Sequence, residues 1–188
     1  MATTATMTGA QFDALPYEEG RKWELLDGEL IPVPSPTLEH QVIINSISFA
    51  LTLHFRSNPQ RGIPASDVEF ALDEDYRVRP DVLVLLDARA TTVDMQRVPI
   101  PGAPDIAVEV ISPSERSVDS QAKVQAYLRY GAQEVWQVFP RSRTVVVHRG
   151  ATSTTLSESD AITSPLLPGF SLAVTGVFTA QASGSVQG

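Results

Sequence analysis

The chain reads as a mixed α/β (α+β) fold with one central sheet flanked by helices, and three observations carry that reading. Short runs rich in β-branched and aromatic residues outnumber the helical stretches, and the helical stretches fall between groups of those runs. Two of the apolar runs, RPDVLVLLD and PDIAVEVIS, each hold one acid, Asp81 and Glu109. At 188 residues the chain is long enough to bury a sizeable core as one domain, expected over residues 8–179.

Residues 1–7 are small and polar and read as a disordered N-terminus. Thr8 can cap a short helix running to Leu15, where Pro16 stops it. In RKWELLDGELIPVP, Asp27-Gly28 separates two apolar-leaning runs. That is the signature of a hairpin with a type I′ turn, which places Glu24 and Glu29 on strands. Ser35 and Pro36 supply an N-cap and an N1 proline for a helix over residues 36–57. Its apolar stripe is Ile43, Ile44, Ile47, Ala50, Leu51 and Phe55. His40 and His54 extend that stripe at its two ends: His54 reads as a core residue, whereas His40, in the first turn, lies at the mouth of whatever the helix packs against.

Residues 58–62 form a turn, 68–72 a strand, 73–75 a polar turn and 78–86 a further strand with Pro80 near its start. Strict alternation then puts Asp81 on the face of Leu83 and Leu85. Residues 87–103 read as a long loop. The next strand, 105–111, puts Glu109 on the face of Ala107 and Ile111, ended by Pro113-Ser114. Ser117 or Asp119 can cap the helix that follows. Lys123 and Tyr127 are four apart and share one of its faces, and Gly131 stands at its C-terminus. A C-terminal hairpin joins 134–139 to 144–148 through Pro140-Arg141-Ser142. Residues 152–156 add an edge strand, 166–170 pack the C-terminus onto the core, and 180–188 read as a disordered tail.

Composition narrows the function. The net charge is −8, which counts against a nucleic-acid binder built on a basic stripe, although Arg77, Arg79, Arg116 and Lys123 can supply a local basic rim. The chain has no cysteine, so disulfides, thiolate zinc sites and cysteine nucleophiles are excluded. No apolar run has the length of a membrane span and the first residues carry no secretory signal, so a cytoplasmic location is expected.

Asp81 and Glu109 lie on two expected core strands. If those strands are neighbours, both carboxylates reach one hard cation such as Mg²⁺, which takes a few oxygen ligands and keeps several waters. A nearby lysine can orient an attacking water or neutralise a phosphate in the transition state. Two acids, a metal and a cation make a minimal phosphodiesterase site.

The chain resembles the Uma-two family of bacterial endonucleases in the PD-(D/E)XK restriction-endonuclease-like superfamily. The matching stretches are WELLDGEL (23–30), SPTLEHQ (35–41), RPDVLVL (79–85), APDIAVEVISPS (103–114), Lys123 with Tyr127, YGAQEVWQV (130–138) and LPGFSL (167–172), which cover nearly the whole chain in order. The resemblance implies a restriction-endonuclease-like core and a Mg²⁺-dependent (or Mn²⁺-dependent) endonuclease acting on DNA, built as a homodimer. In it, Asp81 and Glu109 are the metal-binding acids. Ile111 stands where the superfamily usually has its lysine, so Lys123 on the following helix takes that part. Glu24 or Glu29 is implied as the auxiliary acid and His40 as a residue lining the site. The family's W-x-V-D-P stretch reads Trp136-Gln137-Val138-Phe139-Pro140 here, without its acid. That departure and the acidic charge support an alternative, a nuclease fold kept as an interaction or regulatory module.

Overall fold

The structure is a computed structural model that describes residues 6–16, 18–58, 61–112 and 116–179. Expectations for residues 1–5, for the 180–188 tail and for Pro113-Ser114 lie outside the described residues.

Thr8 caps helix α1 (Gly9–Asp13) as expected, in a capping box with Gln11, though the helix ends two residues short of Leu15. Met7 is tied down by a backbone bond to the Gly28 carbonyl (2.8 Å). Strands β1 (Lys22–Leu26) and β2 (Glu29–Val33) form the predicted hairpin, with Asp27 at φ 51° and Gly28 at φ 75°, the two positive values a type I′ turn requires. Helix α2 (Leu38–Ser57) starts two residues later than expected, because the Thr37 side chain, not Ser35, accepts from the His40 amide (3.2 Å). Pro36 disfavours helical geometry at Ser35 without itself beginning the helix.

Strand β3 (Gly62–Ala65) begins at the last residue of the expected 58–62 turn and runs through a stretch for which no strand was expected. It lies at a sheet edge, where Pro64 is tolerated. Next come β4 (Phe70–Asp73), β5 (Tyr76–Val78) and β6 (Val82–Leu86). The expected continuous strand 78–86 is thus broken at Arg79-Pro80-Asp81: Pro80 has no N–H for a ladder, and its carbonyl accepts instead from the Asp67 amide (3.3 Å). The 87–103 stretch is not plain loop but holds α3 (Asp87–Thr92) and β7 (Ile100–Pro101).

Strand β8 (Ile106–Val110) is followed by α4 (Ser117–Arg129). Arg116 occupies the N-cap position with no side-chain cap, so neither Ser117 nor Asp119 plays that role. Gly131 (φ 113°) ends α4 in a Schellman motif: Ala132 N–H donates to the Tyr127 carbonyl (2.9 Å) and Gly131 N–H to Leu128 (3.4 Å). The chain closes with β9 (Glu134–Phe139), β10 (Thr144–Arg149), β11 (Thr152–Leu156), β12 (Ala161–Ile162), β13 (Leu172–Ala173) and α5 (Val174–Phe178).

The strands form two large sheets where one was expected. A six-stranded sheet runs β11-β10-β9-β8-β6-β3, with β8 and β9 parallel, and a five-stranded sheet runs β2-β1-β5-β4-β7; β12 and β13 pair separately. The division follows from one long-range pairing, Leu25 opposite Arg77, which joins the N-terminal hairpin to β5 instead of to the strands carrying the acids. One face of the six-stranded sheet packs Val82, Val84, Val108 and Val110 against Ile43, Ile47 and Leu51 of α2. The other packs Leu83, Leu85, Ala107 and Val135 against Val124 and Tyr127 of α4 and residues of the second sheet such as Leu26 and Phe70. Among the described residues, no helix is long and apolar enough to cross a membrane.

Candidate active site

The candidate side chains gather where α4, β8, the β1–β2 hairpin and the start of α2 meet. Period-two alternation turns Glu109 with Ala107 toward α4, while Val108 and Val110 face α2. A carboxylate only 5% exposed needs compensation, and α4 supplies it. Lys123 Nζ donates to Glu109 Oε2 (2.7 Å), and Tyr127 Oη, one turn further on, donates to Oε1 (2.7 Å). The four-residue spacing of Lys123 and Tyr127 is what aims both donors at one acid. Lys123 also pairs with Glu24 Oε2 (3.2 Å), and the other oxygen of Glu24 accepts from the Arg79 amide (2.8 Å).

Asp81 reaches the group by another route. It precedes β6 instead of lying in it, so its position comes from the Pro80 break and not from alternation with Leu83 and Leu85. Its Oδ2 accepts from the Val110 amide (2.7 Å), which sets the carboxylate beside the residue that follows Glu109. His40 Nε2 lies 3.1 Å from the Val110 carbonyl and 3.4 Å from Asp81 Oδ2. Both neighbours are acceptors, so this nitrogen carries the proton.

The structure therefore brings together Asp81, Glu109, Lys123, Glu24 and His40. Glu29 is left out of this bonded group. In the hairpin register Glu24 pairs with Ile31 and Leu26 with Glu29, so both acids share a face, but Glu29 stands beside the turn and is exposed at the cleft wall. Tyr127 was legible only as a face-mate of Lys123, and its bond to Glu109 makes it part of the site. Gln137 gave no sequence signal. It lies opposite Glu109 across the β8–β9 pair, donates to Ser120 Oγ on α4 (2.7 Å) and accepts from His148 Nε2 (2.9 Å), so it locks the helix that carries Lys123.

Burial raises the Glu109 carboxyl from its ordinary value to about 8, with Lys123 pulling it down and Asp81 and Glu24 pushing it further up. Burial likewise holds the Tyr127 hydroxyl well above its usual value, with Glu109 adding to the effect, so the phenol stays a donor. Glu109 and Glu24 both contact the single ammonium of Lys123, and Asp81 adds to the negative field on Glu109, at the base of a cleft of about 720 Å³.

Among the described residues no three His, Asp or Glu side chains converge as a metal cage. Mg²⁺ nevertheless asks little of the protein, one or two carboxylates with water completing the shell. Asp81 and Glu109 are hard oxygen donors of the kind that demand calls for, and Asp81 Oδ2 is held at the amide of the residue that follows Glu109.

The fold defines the class first: a mixed α/β protein with two mixed sheets and flanking helices, shared with a crystal structure described as a "putative nuclease belonging to DUF820" from Anabaena variabilis. The two superpose with a TM-score of 0.79 at 21% identity, over 92% of this chain and 97% of that one. Residues 10–175 match the Uma2 family, described as "Putative restriction endonuclease", and the chain belongs to that family. No curated protein matches it.

Proposed function

We propose that the protein is a Mg²⁺-dependent endonuclease that hydrolyses DNA phosphodiester bonds in the cleft above Glu109. The observation that supports this best is the acid group itself: Glu109 and Glu24 on one buried lysine, with Asp81 bonded to the amide of the residue after Glu109, in an accessible cleft, within a family of restriction-endonuclease kind. Asp81 and Glu109 would hold the metal, which when bound supplies Lewis-acid polarisation of the phosphate and acidifies a water. Tyr127 fixes the Glu109 carboxylate, and its hydrogen bond costs no change in charge. Lys123 stands where it can orient the attacking water or balance charge developing on the phosphate oxygens. Glu24 holds Lys123 from its other side and anchors it to the Arg79 backbone. His40 donates between Val110 and Asp81, fixing the orientation of the metal-binding acid.

A second reading, an interaction module on the same fold, draws on Glu109 having both oxygens already engaged by Lys123 and Tyr127. Incubating supercoiled plasmid and circular single-stranded DNA with Mg²⁺ or Mn²⁺ separates the two. The nuclease reading expects nicked or linear products from wild type and none from Asp81→Ala. Intact circles with every protein and metal would leave the module. The homodimer rests on family resemblance, and light scattering that returns a monomer would remove it.

A further inference from the structure

Resting on the nuclease reading above, we propose that the cleft takes single-stranded nucleic acid and not an intact duplex. Most of the reacting groups lie deep: Glu24, Glu109 and Lys123 are 6%, 5% and 7% exposed, and the Asp81 side chain is 22% exposed. A duplex is a stiff rod over ~150 base pairs, and its phosphates are fixed on the surface of that rod. An unpaired strand has free backbone torsions and can lower one phosphate to the cleft floor. The volume, about 720 Å³, suits one or two nucleotides, since pockets of roughly 300–1,000 Å³ hold small molecules.

Charge points the same way. Duplex binding draws its free energy from several cations that replace counterions along the backbone. Among the described residues the cleft is lined by five cations, and each already has an acid: Arg21 with Glu18, Lys22 with Asp67, Arg79 with Glu69, Arg116 with Asp119, and Lys123 with Glu24 and Glu109. Arg77, expected as rim, is buried beneath α1 and held by both oxygens of Asp13 (2.9 and 3.0 Å). Against these five cations the lining sets seven acids, Glu24, Glu29, Glu39, Asp67, Asp81, Glu109 and Asp119, so the rim is not net basic as a duplex site would be. Much of the lining is apolar instead: Leu30, Ile31 and Val33 are half-buried and Pro32, Pro34 and Pro36 exposed in the cleft. Unpaired bases offer faces to such a lining, whereas stacked bases do not.

The test uses the full chain and a fluorescein-labelled twenty-nucleotide strand with no self-complementarity, alone or annealed to its complement. Cleavage is followed in Mn²⁺, and binding by anisotropy with Asp81→Asn. The proposal expects cleavage of the single strand faster by roughly tenfold or more, with a shallow salt dependence of binding. A duplex cut as fast or faster overturns it and leaves the nuclease reading standing. No cleavage of either strand form, with Asp81→Asn still preferring the single strand, supports the binding preference and removes the hydrolysis. No cleavage with equal or stronger duplex binding overturns both.

Discussion

Raising the pH from 7 to 8 in the presence of EDTA is expected to destabilise this protein, and Glu109 is the reason. In the unfolded chain its carboxyl ionises near 4.5, whereas in the folded protein burial holds the proton until about 8. Between those values the native state binds one more proton than the unfolded state, so stability falls as pH rises, by up to about 1.4 kcal/mol per pH unit. From pH 7 to 8 the native proton is half lost, and the integrated loss is about 1 kcal/mol. For a chain of this length that lowers Tm by about 2–4 °C. His54 and His148 do not confuse the window. Burial lowers both, so their contribution grows as pH rises through 6.5 and is constant above it. Urea unfolding at fixed temperature across pH 7–8 reads the effect, with Glu109→Gln as control. Flat or rising stability in wild type, or the same fall in Glu109→Gln, would refute a buried acid held in its neutral form.

Further outcomes follow from the same contacts. Lys123→Met leaves Glu109 and Glu24 without their buried cation and is expected to cost about 3–5 kcal/mol in chemical denaturation. Tyr127→Phe removes one hydrogen bond to the buried Glu109 carboxyl group. A loss of about 1–3 kcal/mol is expected, together with slower cleavage at unchanged substrate binding. Glu24→Gln is expected to slow cleavage, whereas Glu29→Ala, beside the hairpin turn and outside the bonded group, leaves the rate on the same substrate within about twofold of wild type. Mg²⁺ at a hundred times its dissociation constant is expected to stabilise wild type by about 2.7 kcal/mol in a thermal melt and to do nothing for Asp81→Ala.

What the sequence disclosed depends on how local each signal is. The Asp27-Gly28 turn, the Thr8 cap and the Gly131 stop are set by a few neighbouring residues, and each stands where the pattern puts it. Lys123 and Tyr127 were legible as one helix face because helical spacing is itself local. The split into two sheets was not, since it turns on residue 25 meeting residue 77, and no period in either strand encodes the partner. Asp81 shows the opposite hazard: the apolar run from Val82 to Leu86 extends an apparent strand back over a proline that in fact ends it. Glu24 and Glu29 shared a face in the hairpin, so periodicity could not separate them; only distance from the turn does. Gln137, inside an apolar strand, becomes visible only once α4 is packed against it.

The most direct measurement is the single-turnover cleavage rate of the labelled single strand in Mn²⁺, for wild type, Asp81→Ala and Lys123→Ala side by side. Metal-dependent cleavage by wild type, abolished by EDTA and lost in both variants, is the expected result. Cleavage that survives Asp81→Ala, or wild type that cuts nothing with either metal, would contradict it.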